Sequence, residues 1–152
     1  MRTRSRLRQI RHVLSLAVLL TASLVVAGCS TPASPTFGTV SAAGLAGTWK
    51  LQIVQRTGGP AIAIPSDAPY TLTILDGAAL SARADCNTCS GTFRIVGDAI
   101  TVSSVLACTR ALCPTSTIEA IYTSLLQGEN RIGVLEQTMV LNSSRGQLRF
   151  TR

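Results

Sequence analysis

A chain of 152 residues predicts a single domain, and its fourteen Arg and Lys against seven Asp and Glu give a net charge of +7. Five of those basic residues (Arg2, Arg4, Arg6, Arg8 and Arg11) and the lone histidine, His12, stand in the first twelve positions; beyond them nine basic residues face seven acids, a net of +2. The scattered remainder offers no basic stripe for phosphates, which excludes nucleic acid, and without histidine it excludes Ser-His-Asp and Cys-His catalysis and imidazole zinc sites.

The basic start is followed by an apolar stretch from Val13 to Ala27 and then by Val26-Ala27-Gly28-Cys29. A basic head, a short apolar run and small residues before a cleavage point predict a secretory signal over residues 1–28, too short to span a bilayer comfortably. A cysteine directly after Ala-Gly resembles the lipobox of bacterial lipoproteins. That resemblance implies that Cys29 accepts a diacylglycerol and becomes the new N-terminus, holding an exported protein on the cell membrane or outer membrane. An ordinary cleaved signal with a free Cys29, and an uncleaved anchor, are the competing readings. Residues 29–44, rich in Ser, Thr, Pro and Ala and without charge, read as the lipidated cysteine and a flexible tether. The folded domain is expected over residues 45–152.

Period-two alternation dominates that domain. Trp49, Leu51 and Ile53 share one face of a first strand. Tyr70, Leu72 and Ile74 alternate with Thr71 and Thr73, Asp76-Gly77 makes a hairpin turn, and Leu80, Ala82 and Ala84 return. A second hairpin pairs Thr92 to Val96 with Ala99 to Val105 around Gly97-Asp98. Asn87 and Ser90-Gly91 read as a structural turn whose asparagine satisfies backbone groups. Ser116-Thr117-Ile118-Glu119 fits a capping box, followed by Ile118, Ile121, Tyr122, Leu125 and Leu126 at helical spacing and Gly128 as a C-cap. Arg131 to Leu135, Thr138 to Leu141 and Gln147 to Thr151 complete the strands. The expected fold is mainly β with one helix: a small antiparallel, barrel-like curled sheet.

Four cysteines lie in the domain, Cys86, Cys89, Cys108 and Cys113. Zinc binding and redox chemistry are open to them. The C-x4-C second pair and the oxidising destination weigh against zinc, and the lack of a thioredoxin-like strand–helix setting weighs against redox. Two disulfides allow three connectivities. The hairpin reading prefers the nested one, Cys89 with Cys108 inside Cys86 with Cys113, which needs no crossing of chains.

Leu45-Ala46-Gly47-Thr48-Trp49-Lys50-Leu51, then Cys86-Asn87-Thr88-Cys89-Ser90-Gly91, then Thr109-Arg110-Ala111-Leu112-Cys113, Glu119 and Leu148-Arg149-Phe150 resemble in that order the META domain, or domain of unknown function 306. The resemblance covers residues 45–152. Its more specific part is Cys86-Asn87 with Gly91, followed by Thr109 and Cys113. It implies a small β-barrel with one helix, lipocalin-like in outline, in bacterial envelope lipoproteins associated with heat shock and antibiotic tolerance. It also implies Cys86–Cys113 as the family pair, with Cys89–Cys108 an addition. Two positions depart from the pattern: Cys89 stands where an aromatic residue is common, and Ala111 where methionine is usual. Gly47-Thr48-Trp49 looks like the opening of lipocalins, which implies an arginine, Arg149 or Arg152, over the tryptophan.

No catalytic residue, metal or cofactor follows from these patterns. The expected role is a non-enzymatic, membrane-tethered protein that binds or stabilises another envelope component under stress. Carriage of a small hydrophobic ligand in the barrel mouth, or inhibition of a protease or lysozyme, are the alternatives.

Overall fold

The computed structural model describes residues 39–113 and 116–152, with only the backbone at Ser116 and Thr117. The signal segment, Cys29 and the tether up to residue 38 lie outside the described residues. Ten strands run β1 Gly47–Arg56, β2 Ala61–Ala63, β3 Tyr70–Ile74, β4 Ala79–Ala84, β5 Asn87–Val96, β6 Ala99–Val102, β7 Ala107–Cys108, β8 Gly128–Leu135, β9 Thr138–Ser143 and β10 Gly146–Thr151. Among the described residues two α-helices join them, α1 Ala42–Leu45 and α2 Ser116–Leu126, with a short 3-10 turn over Asp76–Ala78 between β3 and β4.

Every pairing is antiparallel. The strands follow in the order β1, β3, β4, β5, β6, β8, β9, β10, and β10 returns to β1, so the sheet closes into an eight-stranded barrel. Closure leaves no edge on those strands for another chain to pair with. It depends on a close approach. Gly146 at the start of β10 has φ of 149°, and a Cβ there would sit 2.1 Å from the Gln55 carbonyl oxygen. Only glycine fits. The long β1 is shared: Gly47 to Lys50 pairs with β3, and Ile53 to Gln55 pairs with the short β2.

The alternating apolar residues meet inside. Trp49, Leu51, Tyr70, Leu72, Ile74, Leu80, Ile100, Ile132, Leu141, Leu148 and Phe150 are all at most 2% exposed. Helix α2 packs on β1, β4 and β10 and adds Tyr122, Leu125 and Leu126 to this core. The Tyr122 ring meets Tyr70 and Phe150 edge-on at centroid distances of 6.0 and 6.2 Å. Its hydroxyl donates to the Thr71 carbonyl at 2.9 Å. Burial pushes that phenol far above its ordinary pKa. The helix therefore fills one mouth of the barrel.

At the other end, Trp49 is fully buried and its indole N–H donates to the Leu45 carbonyl of α1 at 2.8 Å. The Arg152 guanidinium lies 4.4 Å from the centre of its ring. Of the two arginines expected there, the later one takes the position. The main chain also reaches this end upstream of α1, through Val40 N–H to the Gly97 carbonyl at 3.1 Å.

Four expectations change. A bulge between Leu51 and Ile53 leaves Ile53 half-buried and turns Val54 inward, so Ile53 does not share the face of Trp49 and Leu51. The folded unit begins before Leu45, because Ser41 caps α1 by accepting from Gly44 N–H at 3.1 Å. The β5 strand starts at Asn87, not Thr92, so Asn87 and Gly91 lie on a strand and not in a turn. The turn is Asp85-Cys86, between the paired Ala84 and Asn87, and Asp85 takes the left-handed φ of 57° that its short polar side chain tolerates. Finally, β6 ends at Val102, after which Ser103 N–H returns to the Thr92 carbonyl at 2.9 Å.

Candidate functional site

The cysteines, Asn87, Thr109 and Glu119 converge on one corner of the barrel, where the β4–β5 turn meets the segment leading into α2. Cys89 on β5 stands directly opposite Cys108 on β7, and the two are joined by a disulfide. Cys86 in the turn is joined to Cys113, with Cα atoms 5.6 Å apart. The pairs are nested, 19 and 27 residues apart in sequence. Their sulfurs are thereby held as disulfides and present no thiolate to a metal or a substrate. Among the described residues no group of three or more His, Cys, Asp or Glu is placed to hold a metal ion.

Asn87 is 2% exposed and organises what surrounds it. Its Oδ1 accepts from the Ala111 N–H at 2.8 Å and from the Thr109 hydroxyl at 2.9 Å. Its Nδ2 lies 3.1 Å from the Ala111 carbonyl, 3.0 Å from Glu119 Oε1 and 3.1 Å from Cys113 Sγ. The Thr109 hydroxyl in turn accepts from Thr88 N–H at 3.0 Å. A buried amide costs free energy unless its donors and acceptors are engaged, and here one side chain ties β5, the incoming loop and α2 together. Asn87 does satisfy backbone groups, as its sequence context suggests, but from a strand. Glu119, expected to close a capping box, has Oε1 on Asn87; the Ser116 hydroxyl of that box lies outside the described side chains.

Gly91 serves the same corner by having no side chain. A Cβ there would lie 2.6 Å from both Leu106 Cδ2 and Ser103 Oγ, so the segment between β6 and β7 packs directly on the β5 backbone. Trp49 stands at the opposite end, outside this cluster. The arrangement can hold a loop and a helix in place; it shows no nucleophile with a base beside it.

One constellation escapes the sequence. Gln55, Arg56, Thr57, Gly58, Asn142, Ser143, Gly146 and Gln147 line an open groove of about 190 Å³ where β1, β9 and β10 end. Gln55 pairs across strands with Gln147, and Gln147 with Asn142. These residues lie far apart in the chain, and only the barrel register sets them side by side.

The architecture defines a small closed antiparallel β-barrel, filled at one mouth by a helix and stapled at that corner by two disulfides. The chain belongs to the META domain family, whose model matches residues 43–152. Among solved structures it is similar to the NMR structure of a protein from Burkholderia xenovorans, at 27% identity and a TM-score of 0.61, covering 81% of this chain and 94% of that one. A second NMR structure, at 17% identity and a TM-score of 0.58, covers 74% of this chain and 94% of its own. A crystal structure of a lipocalin-like protein from Bacteroides uniformis aligns at 18% identity with a TM-score of 0.48, covering 71% of this chain and 97% of that chain. No curated protein matches this chain.

Proposed function

We propose that this protein is exported, lipidated at Cys29 and held on an envelope membrane, where its META domain binds or stabilises another envelope component under stress, without catalysis. The observation that carries the reading is how the chemistry-bearing residues are spent. Four cysteines are locked in two disulfides, and both ends of the buried Asn87 amide are engaged within the domain. What remains for function is the outer surface of a rigid barrel. Disulfides are at home in an oxidising compartment, in keeping with export.

Carriage of a hydrophobic ligand has less support, because Tyr122, Leu125 and Leu126 of α2 occupy the mouth such a ligand would enter. Inhibition of a hydrolase rests on analogy between folds alone. The test is affinity capture from envelope extract with the full chain carrying a C-terminal tag, beside a control lipoprotein. A component recovered in stoichiometric amount with this chain alone supports the reading. Recovery of the same background with both counts against it.

A further inference from the structure

We infer that the groove between the ends of β1, β9 and β10 is a binding site for a single acidic sugar unit of an envelope glycan. This deepens the proposed function by naming a ligand class and rests on that reading for its cellular setting alone; the groove itself stands on its own geometry.

Three amide side chains form its wall. Gln147 Nε2 donates to Asn142 Oδ1 at 2.9 Å, and Gln55 Nε2 donates to the Gly59 carbonyl at 3.2 Å. Each of these bonds fixes one end of an amide. The other ends, Gln55 Oε1, Gln147 Oε1 and Asn142 Nδ2, have no partner among the described residues. Two acceptors and a donor are thus left side by side on half-buried, oriented side chains. A sugar hydroxyl both donates and accepts, which suits such a mixed set. Side chains already held in place lose little further freedom when a ligand binds.

The surroundings are equally constrained. The Thr57 hydroxyl donates to the Ser144 carbonyl at 2.8 Å and its N–H to the Arg145 carbonyl at 3.0 Å. The Ser143 hydroxyl donates to the Gly146 carbonyl at 3.3 Å. Gly146 leaves the floor open where a side chain would collide with β1. Arg56 is the one charged residue of the lining, and no carboxylate lines the groove to neutralise it. An exposed guanidinium beside oriented amides selects a ligand that carries a carboxylate as well as hydroxyls. The volume of about 190 Å³ suits one ring and not an extended chain.

The test follows the side-chain amide resonances of Gln55, Asn142 and Gln147 in the isotopically labelled full chain in detergent micelles. Three probes are titrated: N-acetylmuramic acid, N-acetylglucosamine and sodium acetate. The inference expects saturable shifts of all three amides with the acidic sugar and at least severalfold weaker binding of the neutral one. Arg56→Gln should weaken the acidic sugar about tenfold, and Gln147→Ala should weaken both sugars. No saturable shift with either sugar overturns the inference, as does acetate matching the acidic sugar, which would mark a simple anion site. Neutral sugar binding as well as the acidic one overturns the role given to Arg56. A failure here leaves the affinity capture free to succeed, so the two readings fall separately.

Discussion

Replacing Asn87 by alanine is the sharpest test of the corner that joins β5 to α2. The substitution strands the Ala111 N–H and carbonyl, the Thr109 hydroxyl and Glu119 Oε1 at once. Three neutral bonds at about 1 kcal/mol each and one to a carboxylate at about 2 kcal/mol give roughly 5 kcal/mol. Ala111 is exposed and Glu119 half-buried, so water recovers part of this, leaving about 3 kcal/mol. For a domain of this size that lowers Tm by about 12–20 °C. The assay is urea and thermal unfolding without reductant, so that both disulfides persist in the folded and unfolded chains. Asn142→Ala, at a half-buried position bonded only to Gln147, serves as control and should shift stability by no more than about 0.5 kcal/mol. Asn87→Asp adds a sign. It sets a second carboxyl about where Nδ2 stands, 3.0 Å from Glu119 Oε1. That like charge raises the carboxyl's folded pKa above its unfolded one, so the variant gains stability below the unfolded carboxylate range and loses it as pH rises through the folded value. A loss under about 0.5 kcal/mol for Asn87→Ala, or an Asn87→Asp variant more stable at neutral than at acid pH, refutes the role given to this side chain.

Other substitutions probe other parts of the barrel. Removing either disulfide by paired Cys→Ala changes should cost less than the about 3 kcal/mol of an isolated loop, because the remaining crosslink restricts the same segment, and removing both should cost more than the sum of the two single losses; additive losses in urea unfolding would contradict the nesting argument. Gly91→Ala must displace Leu106 and Ser103 and should cost about 1–3 kcal/mol, read as a fall in Tm with faster hydrogen exchange between β6 and β7. Arg152→Ala should cost about 0.5–1 kcal/mol and change the tryptophan fluorescence, since its guanidinium covers the Trp49 ring. Gly146→Ala places a Cβ against the backbone of β1 and should lower the yield of folded protein more than any of these.

Much of the barrel is legible in the sequence because burial on one face of a strand writes itself as alternation. Trp49-Leu51, Tyr70-Leu72-Ile74 and Leu80-Ala82-Ala84 do this plainly, and each lies on a strand with those residues inward. The apolar stripe of α2 is equally plain, and its role in filling the mouth follows from where β8 begins. Residues 61–63 carry no such signal: all three are exposed, and Pro60 and Pro65 flank them, so β2 exists only through its pairing with β1. The first half of β5 was hidden by its small residues. Asn87, Ser90 and Gly91 look like turn chemistry, yet Gly91 is small because Leu106 lies on it, and Asn87 is polar because a loop and a helix end need its amide. Asn130 shows the same limit. It is 1% exposed and donates to the Leu126 carbonyl at 3.2 Å at the end of α2, a role no local pattern announces. The amide groove depends on register across β1, β10 and β9, which becomes readable only once β10 is known to close on β1.

The most direct measurement is the intact mass of the protein isolated from its membranes, taken denatured and without reductant. The account predicts a chain beginning at Cys29, heavier by a diacylglycerol-containing lipid and lighter by four hydrogens for the two disulfides. An unlipidated chain that retains residues 1–28, or one with all its domain cysteines present as thiols, would contradict it.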